Sequence, residues 1–443
     1  MQAGCLPRFS VLTEHWNPWG RADTVRVRLR DFGTRDRRQA GSGCRVRRET
    51  RHSPRQWGGF VPDQSEHSRR LRLTLAITEL DPGGAEKAFV RIALGLSQRN
   101  WTVHVVSLRD RGALAETLAA AGISVTALNC GGAMDLRAIT RLSRLLQQQR
   151  PDALLTFLHQ ANLVGRLAGR WAGIPLIVSG VRVADRRTAV SWPERLTKRY
   201  VDHYVAVSAA VAATHGERCR IPSDTMSVIR NGVDVAAIRQ APPVSRESLG
   251  LRQEDQVVLF VGRLTQQKAP GNLLAAFGAL PTEIRNRARL VFVGEGPLKQ
   301  SLAAEIRSAG LEDRVSLSGW RPDVAGIMKS CDVLVLPSLW EGQPNVVAEA
   351  LAAGLRVIAS DVDGVRELLP DSPQHALITP GDVPGLTTRL AAFLQQAAGE
   401  RRPEALPELP SWEATTDQYD QLLRRCLAKK LREGGTPNLP KPS

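Results

Sequence analysis

From Leu71 onward the chain alternates short β-rich apolar runs with longer segments whose apolar positions recur at helical spacing. That is the pattern of βαβ units around a parallel sheet. In the first half the spacing predicts strands at 71–77, 103–108, 124–128, 153–158, 175–180 and 204–208, with helices between them such as 84–98 and 135–149. A turn-rich stretch then interrupts the alternation: Asn231-Gly232, where glycine is expected to supply a positive φ, and Pro242-Pro243, which breaks helix and sheet. The alternation restarts with strands at 257–262, 289–294, 315–319, 333–338, 356–360 and 376–379, and helices at about 271–280, 297–309, 323–330, 345–353 and 384–397. The expected fold class is α/β: two doubly wound, Rossmann-like domains at 69–238 and 245–398, with the carboxyl ends of their strands facing a central cleft. A last helix at 409–432, with Trp412, Tyr419 and Leu422 on its apolar side, is long enough to pack back across the interface.

Residues 1–68 are different in kind, with no hydrophobic periodicity and no apolar segment suited to secretion. The first 70 residues hold fifteen Arg, no Lys and seven acids, half of the chain's net charge of +16. Two readings stand: a disordered basic arm, or a start set too far upstream, with the native protein beginning near Val61 or Leu71. The remaining body is only moderately basic. It suits a protein that handles anionic small molecules or leans on an acidic membrane surface, and no basic helix interleaved with aromatics points to nucleic acid. Cys5, Cys44, Cys130, Cys219, Cys331 and Cys426 are scattered without a C-x-x-C pair, which argues against structural zinc and disulfides and fits a cytoplasmic setting. No apolar run approaches the roughly 18 residues that a membrane span needs.

Candidate chemistry gathers where strands end. In WEGQPNVVAEALAAG, Glu341 lies in the loop after strand 333–338, and Pro344 suits a first helical turn. The free N–H groups of Asn345, Val346 and Val347 would then form a phosphate site at the helix start. Glu349 sits in a helix that is apolar nearly all round, where a carboxylate needs a partner: the hydroxyls of a sugar or ribose, or, in the bland alternative, Arg356, Arg366 or solvent. Arg263 and Lys268, five residues apart after strand 257–262, can clamp a diphosphate or stand as a solvated pair. Gly83-Gly84 and the Gly294-Glu295-Gly296-Pro297 turn each open a helix after a strand, where glycine lets a backbone approach a phosphate or base. His159 closes strand 153–158 at the cleft, and Arg182, after strand 175–180, is a second candidate from the first domain. A full G-x-G-x-x-G, a P-loop, a G-x-S-x-G elbow and an H-E-x-x-H helix are all missing, which counts against dehydrogenase, NTPase, serine hydrolase and zinc protease classes.

Taken together, VGRLTQQK, VGEGPLKQSL, SGWRPDV and LPSLWEGQPNVVAEALAAGLRVIASDVDGVREL resemble the retaining, nucleotide-sugar-dependent glycosyltransferases of family 4 (glycosyl transferases group 1), which have the GT-B fold. The resemblance covers about residues 71–431 and rests above all on the E-x7-E element of Glu341 and Glu349 with Arg263 and Lys268 in order. It implies that Arg263 and Lys268 bind the donor diphosphate, that Glu341 sits beside the donor sugar with Gly342, Gln343, Pro344, Asn345 and Val346, and that Glu349 holds the ribose. Gly296 and Arg321 would flank the base, Gly84 would approach the diphosphate or acceptor, and His159 is the expected first-domain catalytic residue. Many family members place a histidine where this chain has Arg182. The implied donor is a nucleotide-diphosphate sugar, expected to be a UDP-sugar, with no metal or other cofactor required. The implied acceptor is a glycan or a polyprenyl- or lipid-linked sugar, reached from the cytoplasm with peripheral contact to the inner face of the membrane. A sugar-nucleotide epimerase of GT-B architecture and a non-catalytic nucleotide-sugar-binding protein are the alternatives.

Overall fold

The computed structural model describes residues 70–131, 135–183, 188–396 and 408–433. The leading arm at 1–68 lies outside them. Seven strands, β1 (Leu71–Ile77), β2 (Trp101–Ser107), β3 (Ser124–Ala127), β4 (Ala153–Phe157), β5 (Leu176–Val181), β6 (His203–Ala206) and β7 (Met226–Val228), form one sheet in the order β3-β2-β1-β4-β5-β6-β7. Its helices are α1 (Gly84–Ser97), α2 (Ala115–Ala120), α3 (Arg137–Gln149), α4 (His159–Trp171), α5 (Thr188–Thr197) and α6 (Ala209–Cys219); α7 (Val235–Gln240) follows but packs through Ile238 into the core of the second half. All neighbouring strands pair in parallel, so each crossover needs a helix, and both faces of the sheet are covered.

A second parallel sheet is built from β8 (Gln256–Val261), β9 (Ala288–Val293), β10 (Val315–Leu317), β11 (Val333–Leu336), β12 (Arg356–Ser360) and β13 (His375–Ile378), ordered β10-β9-β8-β11-β12-β13. It is wrapped by α8 (Pro270–Gly278), α9 (Thr282–Arg285), α10 (Lys299–Ser308), α11 (Val324–Ser330), α12 (Asn345–Ala352) and α13 (Val383–Gln395). Strand order reverses between β1 and β4 in the first sheet and between β8 and β11 in the second. Those are the crevices where an open α/β sheet takes its ligands.

Three short elements, β7, α7 and the four-residue α9, are additions to the pattern expected from sequence. β7 is a three-residue edge strand that is half-exposed, too short to show alternation. α7 lies inside the turn-rich segment, with the Asp234 carboxylate accepting from Ala237 N at 3.0 Å as its cap. Gly232 corrects another expectation, since its φ is not positive. A Cβ there would sit 2.4 Å from Trp412 N, so the turn needs glycine for room against the last helix rather than for a left-handed backbone.

That last helix, α14 (Trp412–Arg432), follows the second sheet in the chain but packs under the first. Tyr419, Leu422, Leu423 and Leu427 share one buried cluster with Leu73 and Leu75 of β1, Phe157 of β4, and Phe89 and Ile92 of α1. A Cβ at Gly95 of α1 would lie 2.5 Å from Thr416 Oγ1, so the two helices touch where glycine lets them. Trp101 Nε1 donates to Asp420 at 2.6 Å, and Thr415 Oγ1 donates to the Arg230 carbonyl at 2.9 Å.

Candidate active site

The loops after β8 and β11 bring Lys268 and Glu341 together. Lys268 Nζ donates to Glu341 Oε1, which also accepts from Ser338 Oγ at 2.7 Å. Glu341 is buried, so its charge is matched by the neighbouring ammonium. The two loops are stapled at backbone level as well, Leu339 N donating to the Gln267 carbonyl at 2.8 Å and Gln267 Nε2 to the Trp340 carbonyl at 3.0 Å. Arg263 leaves the same β8 loop half-exposed and reaches the first half of the molecule, where its guanidinium lies 3.8 Å from Glu86 and 3.9 Å from Glu79. Burial pushes the Glu86 carboxyl up, and the Arg263 charge opposes that shift.

At the start of α12, Pro344 precedes the helix rather than forming its first turn. Val347 N donates back to the Pro344 carbonyl at 3.1 Å, which removes one of the three N–H groups expected to be free. The N–H groups of Asn345 and Val346 keep no acceptor among the described residues. The carboxylate of Glu349, one turn further on, makes no hydrogen bond or ion pair among the described residues, while its carbonyl accepts from Ala353 N at 2.9 Å. Arg356 is bonded to the Asp332 and Phe393 carbonyls and to Gln396, and Arg366 to Asp361, so neither serves Glu349. Burial raises the Glu349 carboxyl, with Lys87 of α1 opposing.

A relay of side chains crosses between the halves here. Arg182, buried after β5, donates through Nη2 to Asn231 Oδ1. Asn231 Nδ2 donates to Asn345 Oδ1 at 2.6 Å, and Asn345 Nδ2 donates to the Gly84 carbonyl at 3.0 Å. Gln343 Oε1 accepts from Asn231 N at 2.7 Å. Nε and Nη1 of Arg182 make no hydrogen bond, and burial lowers the pKa of this guanidinium, which packs 5.3 Å from the Phe157 ring centroid. Three backbones meet beside it: a Cβ at Gly342 would lie 1.7 Å from the Arg182 carbonyl oxygen, and one at Gly364, whose φ is +75°, 1.7 Å from the Gly342 carbonyl oxygen. Ser208 Oγ donates to that Gly342 carbonyl at 3.1 Å, and the Glu367 carboxylate accepts from Ala209 N and Ala210 N at the start of α6.

Other expected site residues stand apart from this group. His159 opens α4 after Leu158, whose φ of 72° is costly for a side-chain-bearing residue. Its Nδ1 lies 3.3 Å from Glu194 Oε1, and Glu194 also pairs with the buried Arg166. Gly296 is needed by the backbone itself, since a Cβ would sit 2.4 Å from the Leu264 carbonyl oxygen of the β8 loop. Arg321 is forked onto Asp323 at 2.8 and 2.6 Å. Sequence reasoning missed Glu79, Glu86 and Ser338 as members of the site, and took Asn231 only as a turn residue. Glu86 stands two residues after the glycine pair, and its position in α1's first turn was the available signal; Ser338 stood only as the last residue of a predicted strand.

Two facing parallel sheets with a charged crevice at each reversal point define the GT-B class. The family model "Glycosyltransferase Family 4" matches residues 82–237, and "Glycosyl transferases group 1" matches 243–405. The chain is 30% identical over 264 residues to the UDP-Gal:alpha-D-GlcNAc-diphosphoundecaprenol alpha-1,3-galactosyltransferase of Escherichia coli, covering 56% of this chain and 68% of that protein. It is 26% identical over 299 residues to the lipopolysaccharide core biosynthesis glycosyltransferase LpsD of Rhizobium meliloti, covering 66% of this chain and 80% of that protein. Among solved structures, Anabaena HepE in complex with UDP and glucose superposes with a TM-score of 0.64 at 20% identity, over 82% of this chain and all of the other. The chain belongs to the group 1 glycosyltransferases of family 4 and is a glycosyltransferase of the GT-B fold. Membership favours transfer over the epimerase and the non-catalytic binding protein. Among the described residues no helix is long and apolar enough to cross a membrane.

Proposed function

We propose that this enzyme moves a hexose from a UDP-sugar to a lipid-linked or glycan acceptor, with retention at the anomeric carbon. The observation that supports this most is the pairing of Lys268 with Glu341 between the two reversal-point loops, beside the open N-terminus of α12. An incoming diphosphate would take the charge of Lys268 and Arg263 and the N–H groups of Asn345 and Val346, and Glu341 would turn to the sugar hydroxyls. Glu349 would accept from the ribose, which answers its lack of a partner in the protein. Gly342, Gln343 and Pro344 shape the backbone under the sugar. The loops bearing Gly296 and Arg321 flank the base, and Gly84 brings the first half up to the diphosphate.

In the transfer, the bond from anomeric carbon to phosphate oxygen breaks and the bond to the acceptor oxygen forms on the same face. The acceptor proton passes to the departing phosphate oxygen. Positive charge already in place around that oxygen lowers the barrier without reorganisation, each such donor being worth a few kcal/mol. Arg182, at the position where many relatives hold a histidine, would act on the sugar or phosphate through its charge and through the relay to Asn231 and Asn345. His159 would act from the acceptor side. Membership in a family whose matched relatives include one named for a diphosphoundecaprenol substrate and one for lipopolysaccharide core biosynthesis supports the lipid-linked acceptor and a peripheral position on the membrane's inner face.

The test is thermal unfolding of the full chain with UDP, GDP, ADP and their sugar conjugates. A ligand at one hundred times its Kd adds about 2.7 kcal/mol. A UDP-selective shift is expected, abolished in Lys268→Ala, together with at least ~100-fold slower transfer in Glu341→Ala at nearly unchanged UDP affinity. Folded protein that shifts with no nucleotide, or Glu341→Ala turning over like the wild type, overturns the reading.

A further inference from the structure

Two buried polar groups from distant parts of the chain meet under the floor of the crevice with their hydrogen bonding unmet. One is Arg182, after β5. Its Nη2 is bonded to Asn231, while its Nε and Nη1 have no partner among the described residues. The other is Tyr419 of α14, which is fully buried and whose hydroxyl likewise makes no hydrogen bond. Both lean on one ring. The Phe157 centroid, at the end of β4, lies 5.3 Å from the Arg182 guanidinium carbon and 6.2 Å from the Tyr419 ring centroid, with the two rings tilted by 34°. Each group also feels the other: burial raises the Tyr419 phenol and the Arg182 charge opposes that rise, while burial lowers Arg182 and Tyr419 opposes the fall.

Packing alone does not account for this pair. A buried cation is ordinarily matched by a carboxylate, yet Glu86 acts on Arg182 only as a charge at longer range, and no described carboxylate pairs with it. The Tyr419 ring fills the core beneath β1 and β4, a task that phenylalanine would perform without carrying an unmet hydroxyl inside. The surroundings are rigid on both sides of Tyr419. Trp101 holds the following residue, Asp420, and Thr416, one turn earlier, rests against Gly95 of α1, so the hydroxyl cannot shift without moving α14 on the first sheet. The face of Phe157 attracts the guanidinium but does not fix its rotation. A hydroxyl oxygen, which can take an N–H from Nε or Nη1, would.

We propose that Tyr419 is a positioning residue for the transfer, its hydroxyl accepting an N–H of Arg182 from the core side as charge develops on the departing diphosphate. The inference rests on the role proposed above for Arg182 and adds what steadies that residue from beneath. On the crevice side the guanidinium is committed to Asn231, which goes on to Asn345 at the open start of α12. A growing negative charge in the crevice pulls on Arg182 and on that relay together. A second hold from the core keeps the guanidinium from turning, and because this bond is made only as the transition state forms, it favours the rate over ground-state binding. The last helix thereby serves the reaction without touching substrate.

The experiment compares the full chain as wild type, Tyr419→Phe, Arg182→Met and the double variant. UDP release is followed from UDP-glucose and UDP-galactose with water as the acceptor, beside UDP binding by calorimetry and unfolding in urea. Tyr419→Phe is expected to slow UDP release about tenfold, to leave UDP affinity within about threefold, and to unfold at the same or a higher urea concentration, since it removes only an unmet hydroxyl. A loss that came from a poorer core would appear in the urea melt instead. In the Arg182→Met background the same change is expected to slow release no further, because no guanidinium is left to hold. Tyr419→Phe releasing UDP at the wild-type rate overturns this inference alone, and does so even where Arg182→Met fails to fold. Equal slowing by Tyr419→Phe in both backgrounds also overturns it, placing the effect of the hydroxyl elsewhere. Folded Arg182→Met with the wild-type rate overturns the role proposed for Arg182, and this inference with it.

Discussion

Glu349 holds a charge that the free protein does not use. Its folded pKa is raised by burial above the ordinary carboxylate value of about 4.3, so the native state binds the proton more tightly than the unfolded chain does. Stability therefore falls as pH rises from about 4.3 through the raised value, and at neutral pH the ionised group is a net cost. Glu349→Gln is expected to make the nucleotide-free protein more resistant to urea at pH 7 to 8 and to flatten that fall. The same change should weaken UDP binding by about 1–2 kcal/mol, because a charge-assisted hydrogen bond to ribose becomes a neutral one. Titration calorimetry beside the urea melts reads both; UDP affinity equal to that of the wild type would take the ribose away from Glu349. The position was legible as unusual in sequence because a lone carboxylate stands among Val and Ala. Glu341 and Lys268 were legible as residues that follow apolar strands, but their pairing was not, since a contact across 73 residues leaves no local trace.

Among the elements, the packing of α4, α5 and α6 turns on one buried carboxylate. Burial alone would raise Glu194, but its hydrogen bond with His159 and the charges of Arg166 and His215 outweigh that and hold it at about 2. A depressed pKa contributes stability that is complete above the unfolded value of about 4.3 and drains away as pH falls toward about 2. In Glu194→Gln this acid-sensitive portion should vanish from melts followed by circular dichroism. Stability at pH 7 should drop by about 3–5 kcal/mol, since Arg166 is left buried beside a neutral amide. An unchanged acid profile would mean that Glu194 is already neutral in the native protein. Helices and strands with strong periodicity were readable from the chain, whereas β7 and α7 are three and six residues long and carry no full period. His159 was readable as the end of a strand, yet its partner came from a helix 35 residues away, beyond any motif.

At the scale of the whole molecule, the relay from Arg182 through Asn231 and Asn345 to Gly84 joins the two halves at the floor of the crevice. Asn231→Ala is expected to lower kcat about tenfold or more while changing UDP affinity less than about threefold, because most of the nucleotide contacts proposed above come from the second half and the relay sets how the first half meets it. Asn231→Asp separates positioning from folding: it keeps an acceptor for Arg182 but no longer donates to Asn345. A stable Asn231→Asp protein with the same kcat defect supports positioning; wild-type kcat in either variant removes the relay from the reaction. Architecture at this scale was well announced by the two runs of alternation. The apolar side of the last helix, with Trp412, Tyr419 and Leu422, was readable in the sequence; that it completes the core of the first sheet was not. Synthesis proceeds from the amino terminus, so Tyr419, Leu422, Leu423 and Leu427, which close the underside of β1 and β4, are made only after the whole of the second sheet. The first half leaves the ribosome with that underside open, and it becomes a finished domain only when the final helix emerges.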